Sequence, residues 1–392
     1  METINKLNRP GAIVIEGHVQ GLSNTRSLGE LGIPVYVVDV TNCLARYSKY
    51  CRKFLCCPSF SSVEFVTFLI DLCEREGLFG WLLVPSNDHI VENLSIHFDE
   101  VSRYYKLFVP QKDKLYDIIN KGRLINVAKS CGTSVPESCT GNELQLAAGF
   151  RFPLIVKGGF GLTFYKTMHA KALQVNTFEE LCNVVHGLEG VIRCEDILIQ
   201  ELIPECDESK AISFTCFAQQ GRIRTYWMGR KLREHPLKYG TATLAESICV
   251  PDILQEAEPL VSVLGYTGVC EIEFMLDSRD GNKYKLIEIN PRTWLWVGLA
   301  KACGVDFVKC MYMTANRLDI IYPKSYEVGV KWINWLTDFT YSMKAIVTGK
   351  LSICHYFSQL RGLKVKAIWS WQDPLPGLLF PFMAPAIAHK RK

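Results

Sequence analysis

Residues 285–294 read KLIEINPRTW, a strand-like run in which Glu288, Asn290 and Arg292 alternate. A buried strand would place apolar side chains there, and a solvated one would not need that trio. The preceding stretch, TGVCEIEFMLDSRDGN from Thr267, alternates in the same way. Asp280-Gly281 is the dipeptide favoured in a two-residue type I′ turn. Centred there, a hairpin would pair Glu273 with Glu288 and Glu271 with Asn290. Side chains two apart share a face of a strand. Glu271, Glu273, Glu288 and Asn290 therefore emerge together, with Ile272, Phe274, Ile287 and Ile289 on the buried side. Directly opposed carboxylates destabilise a sheet unless a cation lies between them. Mg²⁺ takes oxygen ligands, commonly carboxylates together with nucleotide phosphates. Pro291 ends the ladder and frees Arg292 to reach a phosphate. A hairpin with an acidic, solvated face fits the spacing too, but Asn290 and Arg292 favour a metal and phosphate site.

The chain around this hairpin is 392 residues long, enough for two or three domains. With 48% hydrophobic and 21% charged residues it has the balance of a folded protein. The net charge of +4 is spread without a basic stripe, which argues against a nucleic-acid partner. The 16 cysteines form no CxxC and no Cys/His ligand spacing. The start, METINKLNRPGAIVIEG, has no signal-peptide core. The cysteines thus read as small buried hydrophobes in a reducing cytosol, predicting a cytoplasmic location. No apolar run reaches transmembrane length. The tail PLPGLLFPFMAPAIAHKRK (374–392) is apolar, then basic. Its four prolines argue against a helical anchor and predict a tail packed on the body.

Near the start, GAIVIEG (11–17), a helical NTRSLGELG and IPVYVVDV (33–40) form a β-α-β opening of a parallel sheet. The turn EGHVQGLSN lacks the G-x-G-x-x-G of a dinucleotide fold, and Asp39 alone is weak support for a ribose ligand. A helix around VEFVTFLIDLCEREG, a strand GWLLVPSND (80–88) and a strand YYKLFVPQ ending near 111 complete this small α/β region. Beyond it, DIINKGRLINVAKSCG predicts one helix stopped by Gly132. FPLIVKGGFG (152–161) predicts a strand entering a glycine-rich turn. TFEELCNVVHGLEG is a helix with a Thr177/Glu180 capping box, and DILIQELIPECDESK a strand entering a polar loop.

The order and spacing of EIEF…LIEINPR, ILIQELIP and GRKLREHPLKYG resemble the ATP-grasp superfamily, specifically the carboxylate–amine ligases that include D-aspartate ligase-like enzymes. The resemblance implies a pre-ATP-grasp α/β domain over residues 1–115. A two-lobed α+β ATP-grasp fold would follow over 116–316, with a small lobe to about 200 and a catalytic lobe from about 201. A C-terminal extension, 317–392, would cover the site or mediate pairing, which leaves room for a homodimer. It also implies ATP as cosubstrate with Mg²⁺, or Mn²⁺ as the alternative ion. Lys121 and Lys157 would hold phosphates beside Gly158, Gly159 and Gly161, whose amides approach phosphate. Glu201 and Ile203 would read adenine, and Glu208 (or Asp207) the ribose. Glu273, Glu288 and Asn290 would bind the metal, Arg292 would act on the phosphate side, and Arg230, Lys231 and Arg233 on the phosphate and acyl side. Family members often carry Lys-Pro where this chain has Lys157-Gly158, and a glycine where Glu205 stands.

The activity so implied is ADP-forming ligation. A small carboxylate is activated as an acyl phosphate and captured by an amine, through positioning and charge neutralisation rather than a protein nucleophile. Alternatives are a bicarbonate-using carboxylase of the same superfamily, a non-catalytic ATP-binding protein, and an oxidoreductase built on the N-terminal region.

Overall fold

The computed structural model describes residues 9–170, 172–204, 211–235 and 240–390. Its first unit is a four-stranded parallel sheet of β1 (Ala12–Ile15), β2 (Val35–Asp39), β3 (Cys51–Cys56) and β4 (Leu82–Pro85), in the order β3-β2-β1-β4. β1 is wholly buried because helices cover both faces of a parallel sheet. Asp39 accepts from the Gly17 amide at 2.9 Å and so fixes the first turn of its own sheet. Two expectations fail here. YYKLFVPQ makes only an isolated bridge, Lys106 to Leu82, and the fourth strand is instead CRKFLC. That strand is an edge carrying Arg52 and Lys53, charges that protect an edge and hide the hydrophobic alternation a sequence reading depends on.

The predicted helix from Asp117 is two helices, Lys112–Ile119 and Lys121–Ser130. Asn120 breaks them, its side chain accepting from the Arg123 amide at 3.1 Å as an N-cap. Lys121 thereby becomes the first residue of a helix. A second, antiparallel sheet follows: β5 (Ser138–Thr140), β6 (Leu154–Gly158), β7 (Leu173–Val175) and β8 (Ile197–Glu201), ordered β5-β8-β6-β7. Thr177 caps the helix Phe178–Leu188 as expected, while Glu180 reaches the Asn176 amide, one residue before the cap.

The largest sheet has seven strands, ordered β13-β12-β9-β10-β11-β14-β15. They are β9 (Ile212–Gln219), β10 (Arg222–His235), β11 (Thr241–Ile248), β12 (Gly268–Asp277), β13 (Lys283–Asn290), β14 (Lys331–Ile333) and β15 (Leu363–Lys366). One face packs Phe214, Ile272 and Phe274 against Ile253, Ala257 and Leu260 of the helix Pro251–Val263. The other shares a core of Phe217, Trp227, Trp294 and Trp296 with Leu22 and Val14 of the N-terminal unit.

The β12–β13 hairpin has the predicted pairing at its functional end, Glu273 with Glu288 and Glu271 with Asn290. The predicted turn is wrong, however. Residues 278–282 form a longer loop, with Gly281 and Asn282 at positive φ. A bulge between Glu273 and Phe274 absorbs the difference, so Phe274 faces Leu286 and Ile287 is the extra residue. The buried side is accordingly Ile272, Phe274, Leu286 and Ile289, with Leu286 where Ile287 was expected.

The tail packs on the body as expected, but it does so as a helix, Leu375–Lys390. Pro376 lies in its first turn, where a missing N–H costs nothing. Packing of Phe380 and Met383 on the core offsets the hydrogen bonds lost at Pro381 and Pro385. Near the end of β10, Arg233 makes a two-pronged ion pair with Asp338 of the helix Trp335–Val347, at 2.8 and 2.7 Å. Thr243 donates to the same carboxylate. The arginine side chain is 11% exposed and the aspartate 0%. Breaking such a buried pair strands the remaining charge. Arg233→Ala or Asp338→Ala should therefore each destabilise by roughly 3–5 kcal/mol in urea unfolding. An Arg233→Leu/Asp338→Leu double variant should cost less than either.

Candidate functional site

The site forms where β12 and β13 face the helix start at Lys121 and the end of β6. Glu273 and Glu288 stand side by side across the strand pair, and each carboxylate meets a lysine from another element. Lys121 Nζ donates to Glu288 Oε2 at 2.9 Å, and Lys231 Nζ lies 3.6 Å from Glu273 Oε1. These two lysines offset the like-charge conflict of the hairpin. Lys121 is placed by its backbone: its amide donates to the Gly159 carbonyl at 3.0 Å, pinning the helix start to the glycine turn. The Gly159 amide donates to Asp196 O, so it is already engaged rather than free for a phosphate. A Cβ at 159 would lie 3.1 Å from Asn120 Nδ2 and 3.2 Å from that carbonyl, so the close approach calls for glycine.

Lys157, on β6, donates to Gln200 Oε1 at 3.1 Å and has no carboxylate partner among the described residues. Burial and then the neighbouring Lys121 push its pKa down to about 7, against the opposing pull of Glu288. At Lys121, burial disfavours the charge, but Glu288, Glu273 and Asp88 outweigh it and raise the pKa. Lys121 in turn holds Glu288 well below the usual carboxylate range despite burial, with Lys157 and Lys231 adding to the effect. Lys231 is raised, chiefly by Glu273. Glu271 lies behind the pair and is 4% exposed. Burial and then the adjacent Glu273 push it up to about 7, although Ser213 donates to it at 2.7 Å. Asn290 Nδ2 bridges Glu271 and Glu288 at 3.2 and 3.5 Å. Arg292 is gripped by Asp88 through two bonds of 2.7 and 3.0 Å. That ion pair raises its pKa in spite of burial.

The residues brought together are thus Lys121, Lys157, Glu273, Glu288, Asn290 and Arg292, with Glu271 and Lys231 beside them. Of the basic strand GRKLR, it is Lys231 that meets the carboxylates. Arg230 pairs with Glu246 at 3.0 Å and Arg233 with Asp338. The Glu201 carboxylate is taken up by the amide and guanidinium of Arg151, and Ile203 is buried. Glu208 and Asp207 lie outside the described residues. Among the described residues no three acidic, cysteine or imidazole side chains converge as a metal cage. The expected set is two carboxylates and an amide, so further ligands would have to come from a bound molecule.

Sequence reading missed Asp88, Gln200 and Ser213. Asp88 had a signal: Ser86-Asn87-Asp88 follows β4, and polar residues just beyond the carboxyl ends of parallel strands are where α/β sheets bind ligands. Asn87 caps the helix Asp88–Ile96 and aims Asp88 toward Arg292.

Residues 245–320 match the family model described as carbamoyl-phosphate synthase L chain, ATP binding domain. No curated protein matches. Among solved structures, biotin carboxylase from Campylobacter jejuni is similar at TM-score 0.64 and 16% identity, covering 82% of this chain and 74% of that one. N5-carboxyaminoimidazole synthetase from Staphylococcus aureus gives 0.61 and 16%, over 83% and 82%. L-amino acid ligase from Bacillus licheniformis gives 0.57 and 15%, over 78% and 74%. The fold is that of the ATP-grasp superfamily.

The depressed Lys157 pKa has a ligand-free consequence. Below about 7 the residue is charged, and above it the neutral amine is exposed to acylation. Limited acetic anhydride labelling, read by peptide mass spectrometry, should modify Lys157 ahead of Lys121 and Lys231. Its rate should level off above about pH 8, while ordinary lysines keep gaining to pH 10. Because the unfolded chain binds the extra proton between about 7 and 10.5, Lys157 adds stability as pH rises through that window. Lys157→Met should flatten that rise.

Proposed function

We propose that this chain is an ATP- and Mg²⁺-dependent ligase that activates a small carboxylate as an acyl phosphate and couples it to an amine. The observation that carries the proposal is Lys157: among the described residues it has no carboxylate partner, and it lies close enough to Lys121 and Glu288 to feel both charges. A lysine discharged by its surroundings is a site prepared for an arriving anion, and phosphate oxygens supply that charge. The ATP-grasp fold supports the same reading. The D-aspartate ligase-like branch remains the finer assignment, resting on the sequence resemblance. Residues 1–115 are assigned as the pre-ATP-grasp unit, 116–316 as the ATP-grasp unit and 317–392 as the extension. A cytoplasmic setting goes with this reading.

The donor set fits a hard cation, since Glu273, Glu288 and the Asn290 amide oxygen supply oxygen ligands. Bound there, Mg²⁺ would offset charge on phosphate oxygens. The chain's own groups do the positioning. Lys121 and Lys157 hold phosphate as mobile point charges. Arg292, kept in place by Asp88, neutralises negative charge on the phosphate side. In the overall reaction the carboxylate takes the γ-phosphoryl group and ADP departs. The amine then attacks the acyl carbon, phosphate leaves, and the amine loses a proton. A second reading, a bicarbonate-using carboxylase, draws on the likeness to biotin carboxylase and N5-carboxyaminoimidazole synthetase. Bicarbonate-dependent ADP release would favour it.

The test is ADP release with ATP and Mg²⁺ over a panel of amino acids, small carboxylates and amines, with hydroxylamine present to trap an acyl phosphate. A hydroxamate formed from one carboxylate is the expected outcome. Glu288→Gln should lower turnover on the order of 10²-fold or more with an unchanged circular dichroism spectrum. Normal turnover in that variant would sink the assignment.

A further inference from the structure

Leu375, Leu378 and Phe382 lie on one face of the last helix, at the spacing of three and four residues that keeps side chains in line. All three are exposed, Phe382 to 83%, and Trp371 just before the helix is exposed to 84%. Pro374 and Pro381 are exposed beside them. The opposite face is already committed. Pro376 is buried, Phe380 and Met383 pack on the core, and a side chain at Gly377 would meet the Trp369 ring at 2.8 Å. The helix entrance is clamped to the N-terminal unit through Asp373, which is 1% exposed. Its carboxylate accepts from Arg26 Nε at 2.8 Å, Ser48 Oγ at 2.7 Å and the Lys49 amide at 2.8 Å. Held at its entrance and along its inner face, the helix cannot roll its apolar stripe inward.

We propose that this stripe docks on the surface of a bilayer containing anionic lipid. Charge selects that occupant. From Pro374 to Lys392 the sequence holds no acidic residue and ends His-Lys-Arg-Lys. Exposed Arg46 and Lys49 border the helix entrance, where the short helix Leu44–Tyr47 packs beside it. The helix has no polar face of its own, so its exposed side is apolar; Arg46 and Lys49 at its entrance, Trp371 just before it and the basic end of the sequence suit an anionic lipid surface. At 16 residues the helix spans roughly 24 Å, short of the ~30 Å hydrocarbon core. No helix among the described residues is long and apolar enough to cross a membrane, so the contact is superficial. A second copy of the chain is a poorer occupant. The two aromatic rings offer roughly 150–250 Å² each and the half-covered leucines less, below the ~800 Å² per partner of a stable interface.

The experiment is co-sedimentation of the full chain with phosphatidylcholine vesicles, with and without 30% phosphatidylglycerol, at low and high salt. The expected result is binding to the anionic vesicles at least about tenfold stronger than to neutral ones, weakened by salt. Leu378→Asp/Phe382→Asp should abolish it while leaving the melting temperature within a few degrees. Should that variant unfold, Trp371→Ser and Lys49→Glu, at exposed positions outside the helix, should each weaken binding several-fold. Absence of sedimentation with anionic vesicles overturns the proposal, as does binding that ignores salt and these variants. A wild-type dimer in light scattering that the double variant dissociates, without vesicle binding, assigns the stripe to a second copy instead.

Discussion

Two carboxylates held directly opposite each other set the terms for the rest of this protein. Glu273 and Glu288 are fixed on neighbouring strands by a register the core does not let slip, since a slip of β13 would turn Leu286 and Ile289 outward. Their repulsion cannot be relaxed locally, so it is answered from a distance. One lysine arrives from a helix start that depends on Asn120, the other from a strand on the far side of β9. Each element that carries a neutralising group is in turn anchored by something with no charge role. The Gly159 carbonyl holds the Lys121 amide, and the shared tryptophan core holds the N-terminal unit that contributes Asp88.

The hairpin shows how a right answer can come from a partly wrong premise. A two-residue turn at Asp280-Gly281 gives the correct partners at Glu273 and Glu288, although the real loop is longer. A single bulge restores the register before the site is reached. Alternation is legible in sequence, whereas a bulge costs one residue and leaves no compositional mark, so Ile287 was placed inside and Leu286 out. The parallel sheet was legible where strands were continuous and apolar. It was not at β3, whose charged residues follow from its place at the edge. The helix break at Asn120 was hidden because Asn is an ordinary helix residue until its side chain turns to cap the next turn.

Of the candidate site, what could be read was what a single strand pair encodes. The acidic residues, Asn290 and Arg292 share the strands or their immediate end, and their grouping follows from pleat geometry alone. Which basic residues meet them is a tertiary fact. Arg230, Lys231 and Arg233 look equivalent in sequence. Yet a bulge in β10 and the presence of Glu246 and Asp338 send the two arginines elsewhere. Asp88 belongs to a different unit some two hundred residues away, so its grip on Arg292 has no local signature.

On the proposed function Lys121 and Lys231 would exchange carboxylate for phosphate, and that exchange has a thermodynamic corollary. In the structure both lysines are spent on carboxylates. A polyanion arriving alone would meet Lys157, but in drawing Lys121 and Lys231 off as well it would leave Glu273 and Glu288 facing each other uncompensated. A divalent cation arriving alone would displace the same lysines into a site with no anion to receive them. Only when both arrive does every charge find a new partner. On the proposed function the site would thus couple the two components: each would raise the affinity for the other, by the same factor in either order of addition. That reciprocity would follow from the pairing of four side chains alone.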